Sequence, residues 1–172
     1  MTIGLVGNWT AKPGVLLRQG SPNAKPVTQS AKVREILSMV GTNPLVLDRA
    51  KMDAQSLFKQ VKGFDPENIS VKQLSNMSTY LKQKGIIGDV TALTLLNAGS
   101  KFDKFGVPTD PDAKFNALEY FAVQLDNIQT NNLKGNKYAN YLVPEYKKAI
   151  YVLQNLKTYG ETNGSTVKKK DK

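Results

Sequence analysis

Five tyrosines fall late in the 172-residue chain, at Tyr138, Tyr141, Tyr146, Tyr151 and Tyr159, among Lys134, Lys137, Lys147 and Lys148. Tyr138 and Tyr141 are three residues apart and share a helical face. Interleaved rings and ammonium groups are what a binder of single-stranded nucleic acid uses: bases stack on the rings while the lysines meet phosphates. The same spacing more often lets a helix bury each ring and leave its hydroxyl in water. The terminal "KKKDK", with Lys168, Lys169 and Lys170, would add weak attraction to anionic surfaces.

Catalytic chemistry finds little to work with. The chain contains no cysteine and no histidine. That excludes disulfides, thiolate nucleophiles and Cys/His zinc sites, and removes the commonest general base near neutral pH. Serine–lysine chemistry would survive. "STYLK" sets Ser78 and Thr79 just before Lys82, and Ser165 stands three residues before Lys168. Such short spacings are common by chance, and the first lies on a predicted helix surface. Asp103, Asp110 and Asp112 are close in sequence, as calcium ligands would be. An EF-hand counted from Asp103, however, would need ligands at Phe105 and Val107 and a glutamate at Lys114. Asp110 and Asp112 read instead as a helix cap and a first-turn acid. There is no phosphate-binding glycine loop, no GxGxxG and no GxSxG. The expectation is a chain without catalytic, cofactor-binding or metal-ligating residues.

The formal charge is +10, and half of it lies near the ends. Residues 1–30 hold Lys12, Arg18 and Lys25 with no acid, while residues 160–172 hold four lysines against Glu161 and Asp171. The body is therefore only mildly basic, whereas a dedicated DNA reader concentrates charge on one face. No run reaches the roughly 18 apolar residues of a spanning helix. Gly4, Gly7, Asn8 and Lys12 interrupt any secretory h-region. These features predict a cytoplasmic protein, or one exported without a Sec-type signal.

The elements that would position these residues are helical. Residues 1–29 show no sustained period and read as an irregular arm carrying Trp9, Leu16 and Leu17. A first helix spans 30–40, with Val33, Ile36, Leu37 and Val40 inward and Gly41 at its end. A second continues to about 62, with the stripe Val46, Ala50, Ala54, Leu57 and Val61. Ser70 caps a third, which buries Val71, Leu74, Met77, Ser78 and Leu81 and stops at Gly85. Asp89 caps a short fourth over 90–97. A loop follows, with Phe102 and Phe105 against the core, and Asp110–Pro111 begins a fifth helix bearing Phe115, Leu118, Ala122, Leu125 and Ile128. The last spans about 137–159, restarts at Pro144, turns Leu142, Tyr146, Ile150 and Leu153 inward, and ends at Gly160. No stretch alternates long enough to predict a strand.

The third and fourth helices form a helix–turn–helix outline in "YLKQKGIIGDVTALTLLNAG". A recognition helix needs Arg, Lys, Asn or Gln facing the bases. This one has no basic residue and opens on Asp89, so it reads as a packed hairpin with Leu93 and Leu96 inward.

The sequence thus predicts an all-α fold: a single bundle of about six helices, in orthogonal or mixed packing, over residues 30–160. An irregular arm (1–29) precedes it and a disordered basic tail (161–172) follows. The function that fits is non-enzymatic protein–protein contact, with a bacterial secretion- or appendage-associated protein as one concrete version. The partner would meet Trp9, Leu16 and Leu17 on the arm, Tyr138, Tyr141, Lys147 and Lys148 on the last helix, and Lys168, Lys169 and Lys170 on the tail. The alternative is sequence-indifferent nucleic-acid binding through the basic tails and the Tyr/Lys-rich last helix.

Overall fold

The computed structural model describes residues 30–130, 135–162 and 164. The proposed arm with Trp9, Leu16 and Leu17, the loop residue Lys134, and the tail with Ser165, Lys168, Lys169 and Lys170 lie outside the described residues. Within the described residues the fold is mostly helical, with seven α-helices, one 3₁₀ turn and two small antiparallel strand pairs.

Helix α1 (Ala31–Val40) starts where Ser30 accepts a hydrogen bond from the Val33 N–H, and ends at Gly41 with φ 73°. Val33 and Leu37 are buried, with Ile36 and Val40 packed beside them, as the sequence predicts.

The predicted second helix is three pieces instead: a 3₁₀ turn (Pro44–Val46), α2 (Arg49–Ala54) and α3 (Leu57–Gln60). Each start has a local cause. Asn43 accepts from the Leu45 N–H ahead of the 3₁₀ turn, and Asp48 accepts from the Lys51 N–H at α2. Ser56, at φ 49°, then interrupts the chain in the left-handed region. These breaks rotate the apolar stripe. Ala50 and Ala54 are exposed, and Leu47, Met52, Leu57 and Val61 fill the core.

The two-residue strand β1 (Ile69–Ser70) leads into α4 (Val71–Gln83). Ser70 and Gln73 cap each other's backbone in a full capping box. Leu74, Met77, Ser78 and Leu81 are buried. The hydroxyls of Ser78 and Thr79 are engaged with backbone carbonyls, Ala92 O and Ser75 O respectively.

Helix α5 (Asp89–Leu96) differs from its prediction twice. Gly88 is its N-cap, and Asp89 is the first helical residue, without a capping hydrogen bond. Thr91, Ala92 and Leu95 face inward, while Val90 and Leu93 are exposed. Its apolar residues are spread around the helix with no one-sided stripe, and its neighbours α4 and the last helix cover only one side.

The segment after α5 corrects three expectations. It contains strands: β2 (Lys101–Phe102) pairs with β3 (Pro108–Thr109), and β4 (Lys114–Phe115) pairs with β1. Phe102 and Phe105 are exposed on the hairpin rather than held against the core. Asp110–Pro111 starts no helix. Asp110 has φ 52°, and the Pro111 and Ala113 carbonyls accept from the first two N–H groups of α4. That loop answers donors which a helix start leaves orphaned. Helix α6 (Ala117–Thr130) begins seven residues later, where Asn116 accepts from the Glu119 N–H.

Helix α7 (Lys137–Glu161) runs without a break through Pro144, where a restart is predicted. Its C-terminal half packs on α3, α5 and α6 and buries Ile150, Leu153, Leu156 and Tyr159. Leu142, predicted inward, is exposed. Gly160 lies inside the helix and is buried, and a Cβ there would overlap the carbonyl oxygen of Val61. Its role is close approach rather than termination.

No helix among the described residues is long and apolar enough to cross a membrane.

Candidate docking cleft

Four residues of α7 recur at helical spacing on one face: Pro144, Lys147, Lys148 and Tyr151. They form one wall of a cleft of about 520 Å³. The facing wall comes from two distant segments: Asn43 and Val46 at the two ends of the 3₁₀ turn, and Ile86, Ile87 and Gly88 ahead of α5 with Thr91 in its first turn.

Local chemistry fixes both walls. The Tyr151 hydroxyl donates to Val40 O at 3.3 Å, and the Asn155 amide donates to Asn43 O at 3.0 Å, tying α7 to the end of α1 and to the cap of the 3₁₀ turn. On the other side α4 ends in a Schellman motif. The Gly85 N–H donates to Lys82 O and the Ile86 N–H to Leu81 O, both at 2.9 Å, with Gly85 at φ 66°. Lys51 reaches across to the Gly85 carbonyl at 3.0 Å. The turn therefore delivers Ile86 and Ile87 to the cleft floor in a set orientation.

The floor is apolar, built from Val46, Ile86, Ile87, Pro144 and Val152, and the rim is cationic. Lys148 lies 3.2 Å from Glu145, which spends part of its charge. Lys147 has no ion-pair partner among the described residues. On its other side Lys147 borders a smaller pocket of about 110 Å³ with Met39 and Asp126. The large cleft thus offers apolar contact, two hydroxyls (Thr91, Tyr151) and cationic hydrogen-bond donors.

Of the predicted partner-binding residues described, Lys147 and Lys148 come together in the cleft. Tyr138 and Tyr141 do not line it. They stand on the N-terminal turns of α7, 81% and 69% exposed, beside the less exposed Leu142. The expectation that the tyrosines bury their rings fails for these two. Tyr159 departs in the opposite sense: it is fully buried, and its hydroxyl donates to Asp53 at 2.6 Å instead of meeting water. Burial, then the Asp53 carboxylate, push the Tyr159 phenol up to about 12. The same hydrogen bond, helped by Arg49, holds the Asp53 carboxyl below its ordinary value.

Sequence reasoning missed the facing wall. The "GIIG" of residues 85–88 carries the one available signal, a pair of isoleucines held between glycines. Nothing local in Asn43 or Val46 announces a cleft, because their role depends on α7 crossing above them.

The chain matches no protein-family model, and no curated protein or solved structure is significantly similar to it.

Proposed function

We propose that the chain is a non-enzymatic helical protein that works through protein–protein contact, and that the cleft beside α7 takes an apolar segment carrying an acidic residue. One observation carries this reading: Lys147, which has no ion-pair partner among the described residues, stands at the rim of an apolar floor. An apolar anchor in a desolvated pocket supplies affinity, while the rim charge selects its partner's sign and sets its register. The bacterial secretion- or appendage-associated version of this reading rests on a chain without cysteine, a mostly helical body and a polar stretch 1–29.

Affinity capture from the native source with the full chain tests the reading. A protein retained by the unaltered chain and by Leu93→Ala, but lost with Lys147→Glu, supports it. Equal retention by all three counts against the cleft.

A second reading, sequence-indifferent binding of single-stranded nucleic acid, is favoured by the open rings of Tyr138 and Tyr141 beside exposed Lys137. It requires a gel shift with a mixed-sequence oligonucleotide that weakens steeply with salt and is lost in Tyr138→Ala/Tyr141→Ala. Absence of any shift at low salt ends it.

A further inference from the structure

The row of α7 side chains that walls the cleft does not stop where the cleft does. Lys137, Tyr141, Pro144, Lys148 and Tyr151 fall at alternating intervals of four and three, so they form one stripe along the helix. From end to end the stripe covers about 21 Å. Lys137, Tyr141, Pro144 and Lys148 are exposed, and Tyr151 is half-buried. Residues between them turn the other way. Ala139 is buried, and Tyr146 packs on Phe121 of α6 with ring centroids 5.9 Å apart. α6 therefore takes one side of α7 and leaves this stripe open beyond the cleft.

The charges along it are one-sided. Lys147 and Lys148 line the cleft, and no acidic side chain does among the described residues. The acids nearest its walls in sequence are already matched: Glu145 with Lys148 at 3.2 Å, Asp89 with Lys82 at 3.6 Å, and Asp48 with Lys51 at 3.6 Å. Asp126 borders Lys147 only through the smaller pocket on the far side, and makes no ion pair with it. Lys137, like Lys147, has no ion-pair partner among the described residues. What remains unbalanced on this surface is positive.

We infer, on the reading of the cleft as a docking site, that its occupant is an acidic amphipathic helix of a partner protein, laid along α7 from Tyr151 to Lys137. A helix is the form that suits this surface. A stripe at alternating intervals of three and four is what the side chains of a second helix interdigitate with. Strand addition would need a free sheet edge at the cleft, and no residue of β1–β4 lines it. Tyr141 stands two turns before Lys148, about 10.5 Å along the axis, the separation of residues i and i+7 on the occupant. One apolar side chain of the occupant then enters over Ile86 and Ile87, and another meets the Tyr141 ring. Acids flanking that apolar face meet Lys147 and Lys137, whose charges nothing else in the described structure matches. A nucleic-acid strand fits less well, because the floor of Val46, Ile86 and Ile87 offers neither phosphate contacts nor a ring to stack on.

Selection from a display library of random peptides tests this, with the full chain as bait and its Lys147→Glu variant as counter-selection. Peptides of about 18 residues are long enough to span the stripe as a helix. The expected result is enriched peptides with net negative charge and apolar residues at intervals of three and four. The best of these, made synthetically, should lose at least about tenfold in affinity for Tyr141→Ala and for Lys147→Glu, the size of a hot-spot loss. A proline placed mid-peptide should abolish binding, because it breaks a helix. Thermal unfolding of Tyr141→Ala should match the unaltered chain, and Lys147→Gln replaces Lys147→Glu if the latter lowers the Tm. Peptides that need Lys147 but not Tyr141, or that tolerate the proline, would keep the cleft reading and overturn the helix. No enrichment over the counter-selection would overturn both. A mixed-sequence oligonucleotide that binds through Tyr141, with no peptide enriched, would assign the stripe to nucleic acid instead.

Discussion

The two halves of α7 share one continuous helix and have opposite fates. From Ala149 onward, Ala149, Ile150, Val152, Leu153, Leu156 and Tyr159 are all buried, pressed against α3, α5 and α6. Ahead of Pro144, Ala139 is buried, but the large side chains of Tyr138, Tyr141 and Leu142 are open to solvent. The exposed half persists because Asn136 caps it, accepting from the N–H groups of Tyr138 and Ala139, and because the packed half continues it. Packing rather than propensity supplies most helix stability in proteins. The C-terminal half therefore anchors the fold, and the region around and before Pro144 is left available for contact.

This contrast is broken most severely from the packed side. Leu153→Ala should cost about 2–5 kcal/mol, as for other fully buried leucines, read by chemical denaturation. Tyr141→Ala on the open half should stay within about 0.5 kcal/mol. Similar losses at the two positions would erase the distinction. Next comes Gly160→Ala, where the added methyl meets the Val61 carbonyl oxygen. Backbone cannot swing aside as a side chain can, so overpacking of about 1–3 kcal/mol is expected. A neutral result would place α7 farther from Val61 than the structure does.

A pH profile sharpens the same anchor. The Tyr159 phenol ionises near 12 when folded and near 10 when unfolded. As pH rises past 10 the unfolded chain loses its proton first, so stability should fall between pH 10 and 12. Asp53 works at the other end. Its lowered pKa gives stability above the ordinary value of 3.8 that is lost as pH falls through the folded one. Tyr159→Phe should flatten this tyrosine's share of the alkaline decline and reduce the acid-side dependence on Asp53. A variant with both limbs unchanged would remove the Tyr159–Asp53 hydrogen bond from the account.

The smallest expected effect is on α5. Leu93→Ala should change stability by less than about 0.5 kcal/mol, because Leu93 is exposed. Leu95→Ala, on the buried side, should cost about 2–5 kcal/mol.

Leu93 also shows where sequence reading stops. Helices α1, α4 and α6 are legible because an apolar stripe at 3.6 spacing sits on one side of each. In α1 and α4 a serine cap agrees with the stripe. The apolar residues of α5 are spread around it, so periodicity names no inward face, and only its neighbours decide that Leu95 is covered and Leu93 is not. Ser56 breaks the predicted second helix by adopting a positive φ that its residue type does not announce. Asp110–Pro111 has the composition of a helix start, but it lies in a loop whose Pro111 and Ala113 carbonyls answer the first N–H groups of α4. Gly160 looks like a stop and is a close contact, a distinction that requires Val61 to be in place. For the cleft, Lys147 and Lys148 are readable as a basic pair on the last helix. Asn43, Val46, Ile86 and Ile87 join them only through the crossing of α7, a contact between segments far apart in sequence.

Amide hydrogen exchange of the full chain, with and without its captured protein, tests the central claim most directly. The cleft reading predicts slowed exchange at residues 43–46, 86–91 and 145–152. Protection confined to residues 137–142, with the cleft walls unchanged, would contradict it.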